Sequence, residues 1–219
     1  VTSCQDGGRS GIPFRMTDAI TTPEASPQAA PGIREQIVEA ADAHFSRYGY
    51  AKTTVADLAK AIGFSKAYIY KFFDSKQAIG EAICWRCLSA QLGTITAAVE
   101  AAQGAAEKLR VLFRTTVEEN RAQFFADRQL YDIVTHSCAE NWASSTAYVV
   151  EFEALLASVI REGREAGEFE RKTPADEVLR AICLATSPFT HPLQLQHNLD
   201  QIDQGLPAVT NLVLRSLAP

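Results

Sequence analysis

Apolar residues recur along most of this chain at three- and four-residue spacing, the period of a helix with one buried face. Ile33, Ile37, Ala40, Ala41, His44 and Phe45 mark a first helix that stops at Tyr48-Gly49, where glycine suits a left-handed C-terminal position. Val55, Leu58, Ala59 and Ile62 mark a second, capped by Thr53 or Thr54 and stopped by Gly63. Ser65 caps a short third helix carrying Ile69, Phe72 and Phe73, and a longer fourth runs from about Lys76 towards Ala98. Further helical patterns occupy about 105–120, 121–136, 144–166, 174–186 and 199–217. Pro174 suits a first helical turn behind Thr173, and Pro188 and Pro192 read as breaks around Phe189. Gly205 and Pro207 interrupt the last pattern, so its helix is expected to begin near Leu206. No stretch alternates long enough to suggest a strand, and the expected class is all-α.

Residues 1–31 are rich in Gly, Ser, Thr, Pro and Ala without apolar periodicity, and read as a flexible leader. The only methionine is Met16, which leaves open whether residues 1–15 belong to the native protein. The composition, 47% hydrophobic and 21% charged over 219 residues, is that of an ordinary globular chain. No apolar run reaches the ~18 residues of a membrane span, and no basic segment precedes an apolar one near the start. A cytoplasmic protein without membrane contact is the resulting expectation. Five cysteines, an odd number, read as reduced thiols rather than a disulfide framework.

The net charge of −5 is unevenly spread. Residues 32–80 carry seven Lys and Arg against five Asp and Glu, whereas 81–219 carry twelve against eighteen. Within Lys52–Lys76 stand five lysines and two aspartates. A locally basic module on an acidic body can still attract a polyanion, because phosphate attraction acts over a Debye length of ~8–10 Å. That module contains two short helices meeting at Gly63, the pattern of a helix-turn-helix whose second helix is free to enter a DNA groove. The outward face of the third helix offers Lys66, Ala67, Tyr68, Tyr70 and Lys71, a mixture suited to phosphates and base edges.

The block Gly63-Phe64-Ser65-Lys66-Ala67-Tyr68-Ile69-Tyr70-Lys71-Phe72-Phe73-Asp74-Ser75-Lys76 resembles the tetracycline-repressor (TetR) family of regulators. It is similar to that family's Gly-Val-Ser-x-x-x-Leu-Tyr-x-His-Phe-x-x-Lys pattern, and the likeness runs from Arg34 to about Ile83. Phe72 stands where the family usually carries His, a departure at one expected phosphate contact. The resemblance implies an N-terminal three-helix DNA-binding domain over 32–78, and a helical ligand-sensing and dimerisation domain over 79–219. It implies DNA contacts from Thr53, Thr54, Ser65, Lys66, Ala67, Tyr68, Tyr70, Lys71 and Lys76. Thr54 would bond a phosphate through hydroxyl and backbone N–H, and Lys76 would reach one from the start of the fourth helix.

The acidic half carries no comparable motif. The resemblance implies a ligand cavity there, and a homodimer made by the last two long helices. Half-polar aromatic residues of the middle helices are the candidates for the cavity wall: Phe124, Tyr131, His136, Trp142, Tyr148 and Phe152. Aromatic residues at this spacing are more often plain core. The fourth helix is expected to carry occupancy of the cavity to the DNA-binding helices. Cys84-x-x-Cys87 has no second pair at zinc spacing and reads as packing; neither metal nor cofactor is expected. No phosphate loop, nucleophile elbow or His-Glu-x-x-His motif is present, so an enzyme is not expected. The leading expectation is a repressor that binds a palindromic double-stranded operator as a homodimer and is released by a small apolar or amphipathic molecule. A regulator controlled by a protein partner, or by cysteine redox chemistry, is the alternative.

Overall fold

The computed structural model describes residues Gly32–Pro219, and every regular element among them is helical. The expected leader, 1–31, lies outside the described residues, as do Cys4 and Met16. Ten α-helices follow one another: α1 (Gly32–Tyr48), α2 (Val55–Ile62), α3 (Lys66–Ile69), α4 (Lys76–Ala101), α5 (Ala105–Ala126), α6 (Arg128–Ala139), α7 (Ala143–Ala166), α8 (Ala175–Thr190), α9 (Pro192–Leu195) and α10 (Ile202–Ser216).

The first three helices fold around α1, whose Ile37, Val38, Ala41 and Phe45 form a continuous buried stripe. With Val55, Leu58 and Ile69 they make a core that extends into α4 and α6 through Ile79, Ile83, Ile133 and Val134. A second core joins the far half of α4 to α5, α7, α8 and α10, around Leu109, Leu112, Phe113 and Leu156. α4 is the element common to both cores. Arg86 of α4 pairs with Asp42 of α1, and the Ser46 hydroxyl donates to Asp127 at the start of α6 at 2.6 Å.

Beyond α4, three boundaries differ from the sequence expectation. The break expected at Asn120-Arg121 falls at Asp127, which caps α6 by accepting the Leu130 N–H at 2.9 Å. Asn120 sits inside α5, buried, with its amide bonded on both sides: Oδ1 accepts from Gln91 and Nδ2 donates to the Thr190 carbonyl, each at 2.9 Å. Pro188 does not end α8. It has no N–H for the Leu184 carbonyl, and the Ser187 hydroxyl donates to that carbonyl at 3.2 Å instead. Pro207 likewise stands within α10, which begins at Ile202 rather than near Leu206.

α5 has no cap of its own at Gly104. The Glu168 carboxylate, from the segment after α7, accepts the Ala105 and Ala106 N–H groups at 3.1 and 3.2 Å. By length and composition α7 is apolar enough to cross a membrane, although Glu151 and Glu153 interrupt its apolar run. Its Leu156, Val159 and Ile160 are packed in the second core.

Candidate nucleic-acid interface and ligand cavity

The turn between α2 and α3 follows from three local devices. Thr54 and Asp57 form a reciprocal capping box at the start of α2: the Thr54 oxygen accepts the Asp57 N–H at 3.2 Å, and the Asp57 carboxylate accepts the Thr54 N–H at 2.9 Å. Gly63 ends α2 at φ 78°, a left-handed geometry that costs an L-residue roughly 1–2 kcal/mol. Ser65 then caps α3 by accepting the Tyr68 N–H at 3.1 Å. α3 is short, four residues followed by a turn through Tyr70 and Lys71, so Phe72 and Phe73 lie beyond it rather than on it.

These devices leave Ser65, Lys66, Ala67, Tyr70 and Lys71 exposed on one side, with Tyr68 half-buried among them. The Tyr68 ring stands edge-on between Phe64 and Phe72, centroids 5.1 and 5.3 Å away. Phe72 therefore gives the surface an aromatic brace where the family pattern has an imidazole. Lys71 Nζ lies 5.7 Å above the Tyr68 ring and Lys66 Nζ 5.7 Å above Tyr70, which orients both cations without neutralising them.

Thr53, Thr54 and Lys76 are placed differently. Thr53 is buried, and its hydroxyl donates to the Gly49 carbonyl at 2.8 Å. Thr54 is exposed, but both its N–H and its hydroxyl donate to Asp57. Those bonds hold the Asp57 carboxyl below its ordinary pKa. Lys76 is half-buried and turned inward: its ammonium donates to the Tyr50 and Thr53 carbonyls at 3.0 and 3.1 Å and lies 4.2 Å from the Tyr50 ring centroid. Burial lowers its pKa. One turn along α4, a Cβ on Gly80 would stand 2.9 Å from Tyr50 and 3.0 Å from the Trp142 ring. Glycine is thus the condition for α4 to approach this aromatic pair.

A cavity of about 550 Å³ lies farther along α4. Leu88 of α4, Thr116 and Asn120 of α5, Cys138 of α6, and Tyr148 and Phe152 of α7 line it on one side. α8 supplies the opposite wall, with Leu179, Cys183, Thr186 and Thr190, and His191 follows at its end. The rings of Tyr148 and Phe152 are stacked at 6.1 Å.

Of the six aromatic candidates, the cavity brings together Tyr148 and Phe152. Phe124 packs against Phe125 and Tyr131, under the Arg128 guanidinium at 4.3 Å. Tyr131 is fully buried and donates to the Pro192 carbonyl at 2.6 Å. Trp142 precedes α7 and packs with Tyr50 and His136 at 5.5 and 5.4 Å, beside Gly80, as part of the first core. His136 is exposed on the edge of that cluster. The α8 wall was missed, although its residues carry a signal: Leu179, Cys183, Thr186 and Thr190 are spaced four, three and four apart, a half-polar stripe on one helix face.

Cys84, Cys87 and Cys138 lie close enough to influence one another's ionisation. Burial pushes Cys87 and Cys138 up to about 11, although Gln123 donates to the Cys87 sulfur. Among the described residues no group of three His, Cys, Asp or Glu is placed to hold a metal.

A helix-turn-helix head on an all-helical body is the construction of a DNA-binding transcriptional regulator. Comparison with known proteins defines the family: the model for bacterial regulatory proteins of the tetR family matches residues 37–83, and the tetracyclin repressor-like C-terminal domain model matches 105–209. The chain belongs to the tetR family. The HTH-type transcriptional repressor KstR2 of Rhodococcus jostii (strain RHA1) is 28% identical over 152 residues, covering 69% of this chain and 74% of its own. The fatty acid degradation regulator FadR from Bacillus halodurans has the same fold, with a TM-score of 0.59 at 21% identity, over 86% of this chain and 95% of its own. FadR from Bacillus subtilis, solved in complex with stearoyl-CoA, gives a TM-score of 0.58 at 20% identity, over 84% and 97% of the two chains.

Proposed function

We propose that this regulator is a repressor that binds a palindromic operator as a homodimer and is released when a small apolar or amphipathic molecule enters the α4–α8 cavity. Ser65, Lys66, Ala67, Tyr68, Tyr70 and Lys71 form its DNA surface, with Thr54 beside them at the start of α2. Thr53 and Lys76 hold that surface in place from behind. The DNA-binding part is taken as 32–78 and the sensing part as 79–219.

The observation that carries this reading is the course of α4. One uninterrupted helix begins at the Lys76 clamp on the helix-turn-helix and passes Leu88 in the cavity wall. A ligand that fits one position of α4 better than another biases the spacing of the DNA-binding helices, which is the differential affinity a switch requires. The volume lies within the range of small-molecule sites, and stearoyl-CoA in the B. subtilis protein of the same fold agrees with an amphipathic occupant. For the homodimer, Leu184 on α8 and Leu212 on α10 are 69% and 66% exposed on two helices that pack together. A symmetry mate against this face would bury both, although Leu184 also borders the cavity. The redox alternative is disfavoured by the raised thiol pKa values.

The test is selection of a binding site from genomic fragments, followed by sedimentation of the complex. Two protomers on one palindrome are expected, with the α3 helices ~34–36 Å apart. Tyr68→Ala is expected to change sequence preference by ~1–3 kcal/mol at the contacted base pair. A complex with one protomer, or unchanged preference in Tyr68→Ala, refutes the groove assignment.

A further inference from the structure

The cavity lining carries one cation and two carboxylates, none of them fully buried. Its cationic group is Arg180 at the rim, whose guanidinium lies 3.9 Å from Asp176, the two side chains being 73% and 78% exposed. Glu153, half-buried, adds a second carboxylate to the lining, so two acids stand against one base. Farther in, the polar groups are hydroxyls, an amide, a phenol, an imidazole and thiols.

Their hydrogen bonding divides them sharply. The hydroxyls of Thr116, Ser145, Thr186 and Thr190 all donate to carbonyls of the backbone, at 2.7 to 3.1 Å. Towards the cavity they present lone pairs. Apart from Arg180 and the thiols, three donors remain free. The Tyr148 phenol has no hydrogen-bond partner among the described residues, and burial raises its pKa, which keeps it protonated. His191 accepts the Leu193 N–H through Nδ1 at 3.3 Å, which puts its proton on Nε2, and burial lowers its pKa, which keeps it neutral. Asn120 uses one amide N–H on the Thr190 carbonyl and keeps the other.

We infer that the cavity selects an uncharged amphipathic molecule, an alcohol or a ketone in preference to a carboxylate, held through Tyr148, His191 and Asn120. The inference rests on this cavity being the effector site. A carboxylate drawn past Arg180 would shed hydration, meet no second cation, and face the lone pairs of four hydroxyls and the Glu153 carboxylate. An alcohol uses both kinds of group at once: its oxygen accepts from the phenol or imidazole, and its proton goes to a threonine oxygen. A ketone uses the donors alone.

Displacement of the uncharged dye Nile red from the full chain at pH 7.5 tests this with three ten-carbon probes: decan-1-ol, decan-2-one and decanoate. The alcohol and ketone are expected to displace the dye at concentrations at least about tenfold below decanoate, the factor an unpaired buried charge costs at minimum. Tyr148→Phe, with its own dye affinity measured separately, is expected to weaken the alcohol and ketone about three- to tenfold. Decanoate displacing as well as the alcohol overturns the selectivity and leaves the cavity an effector site. Unchanged alcohol and ketone affinities in Tyr148→Phe overturn the role of the phenol and the inference with it. Failure of all three probes, or of the dye itself, removes the effector site and this inference together.

Discussion

Lys76→Met separates a cation that meets DNA from one that holds the DNA-binding helices together. Methionine keeps most of the aliphatic stem and removes the ammonium. Two charge-assisted bonds are lost, to the Tyr50 and Thr53 carbonyls, together with the contact above the Tyr50 ring. Tyr50 O retains the Thr53 N–H at 3.2 Å, so one carbonyl keeps a donor and the other does not. Bonds to charged groups contribute ~1.5–3 kcal/mol each, and the half-exposed position discounts both towards water. The net loss is roughly 2 kcal/mol, which for a chain of this size lowers Tm by roughly 4–8 °C. Circular dichroism reads the melt, and titration of unselected duplex DNA at several salt concentrations reads the phosphate contacts. The slope of log affinity against log salt is expected to stay at its wild-type value in Lys76→Met. Lys71→Met is expected to do the reverse, making the slope shallower by ~0.9 per contact in each protomer with Tm almost unchanged. An unaltered Tm in Lys76→Met with a shallower slope refutes the clamp and makes Lys76 a phosphate ligand.

Three further outcomes follow from the same coordinates. Leu184→Glu together with Leu212→Glu should give a folded chain that sediments as a monomer, since both positions are open in one protomer; a persistent dimer places the interface elsewhere. Iodoacetamide at pH 7.5 should alkylate Cys87 and Cys138 about 300-fold more slowly than an ordinary thiol of pKa ~8.5, because their pKa is pushed up to about 11; rates like those of free cysteine refute their burial. Asn120→Ala should lower stability by ~2–3 kcal/mol in urea denaturation, because it strands the Gln91 amide and the Thr190 carbonyl; a loss below about 1 kcal/mol means that water replaces the amide.

The DNA-binding end was largely legible because its structure is local. Thr54 with Asp57, Gly63 and Ser65 act within four residues of themselves, and a sequence displays such devices directly. What it could not display is direction. Lys76 reads as a surface cation, and its inward turn depends on carbonyls twenty-three and twenty-six residues away. Asn120 reads as a helix breaker until Gln91 and Thr190 are seen on either side of it. Asp127 gains its partner Ser46 from eighty-one positions back. Aromatic size drew the cavity assignment towards Tyr131 and Trp142, which fill cores. The small threonines of α8 leave the space that a ligand can occupy, and small residues give no hydrophobic peak to follow.

The tight seat of Gly80 against Tyr50 and Trp142 determines what kind of machine α4 is. If a ligand acts on α4 as proposed, a helix seated this tightly would pivot there instead of sliding. Leu88 lies eight residues beyond the pin, ~12 Å, and Lys76 four residues before it, ~6 Å. A push of ~1 Å at the cavity wall therefore becomes ~0.5 Å of travel at the clamp, in the opposite direction. The linear motion is halved, while the angle, ~5° for each ångström, passes undiminished into the rigid head. Points far from the pivot then sweep the largest arcs. Under the proposed switch, such a lever would turn the DNA-binding surface more than shift it. A larger side chain at position 80 would move the fulcrum and change the gearing of the response.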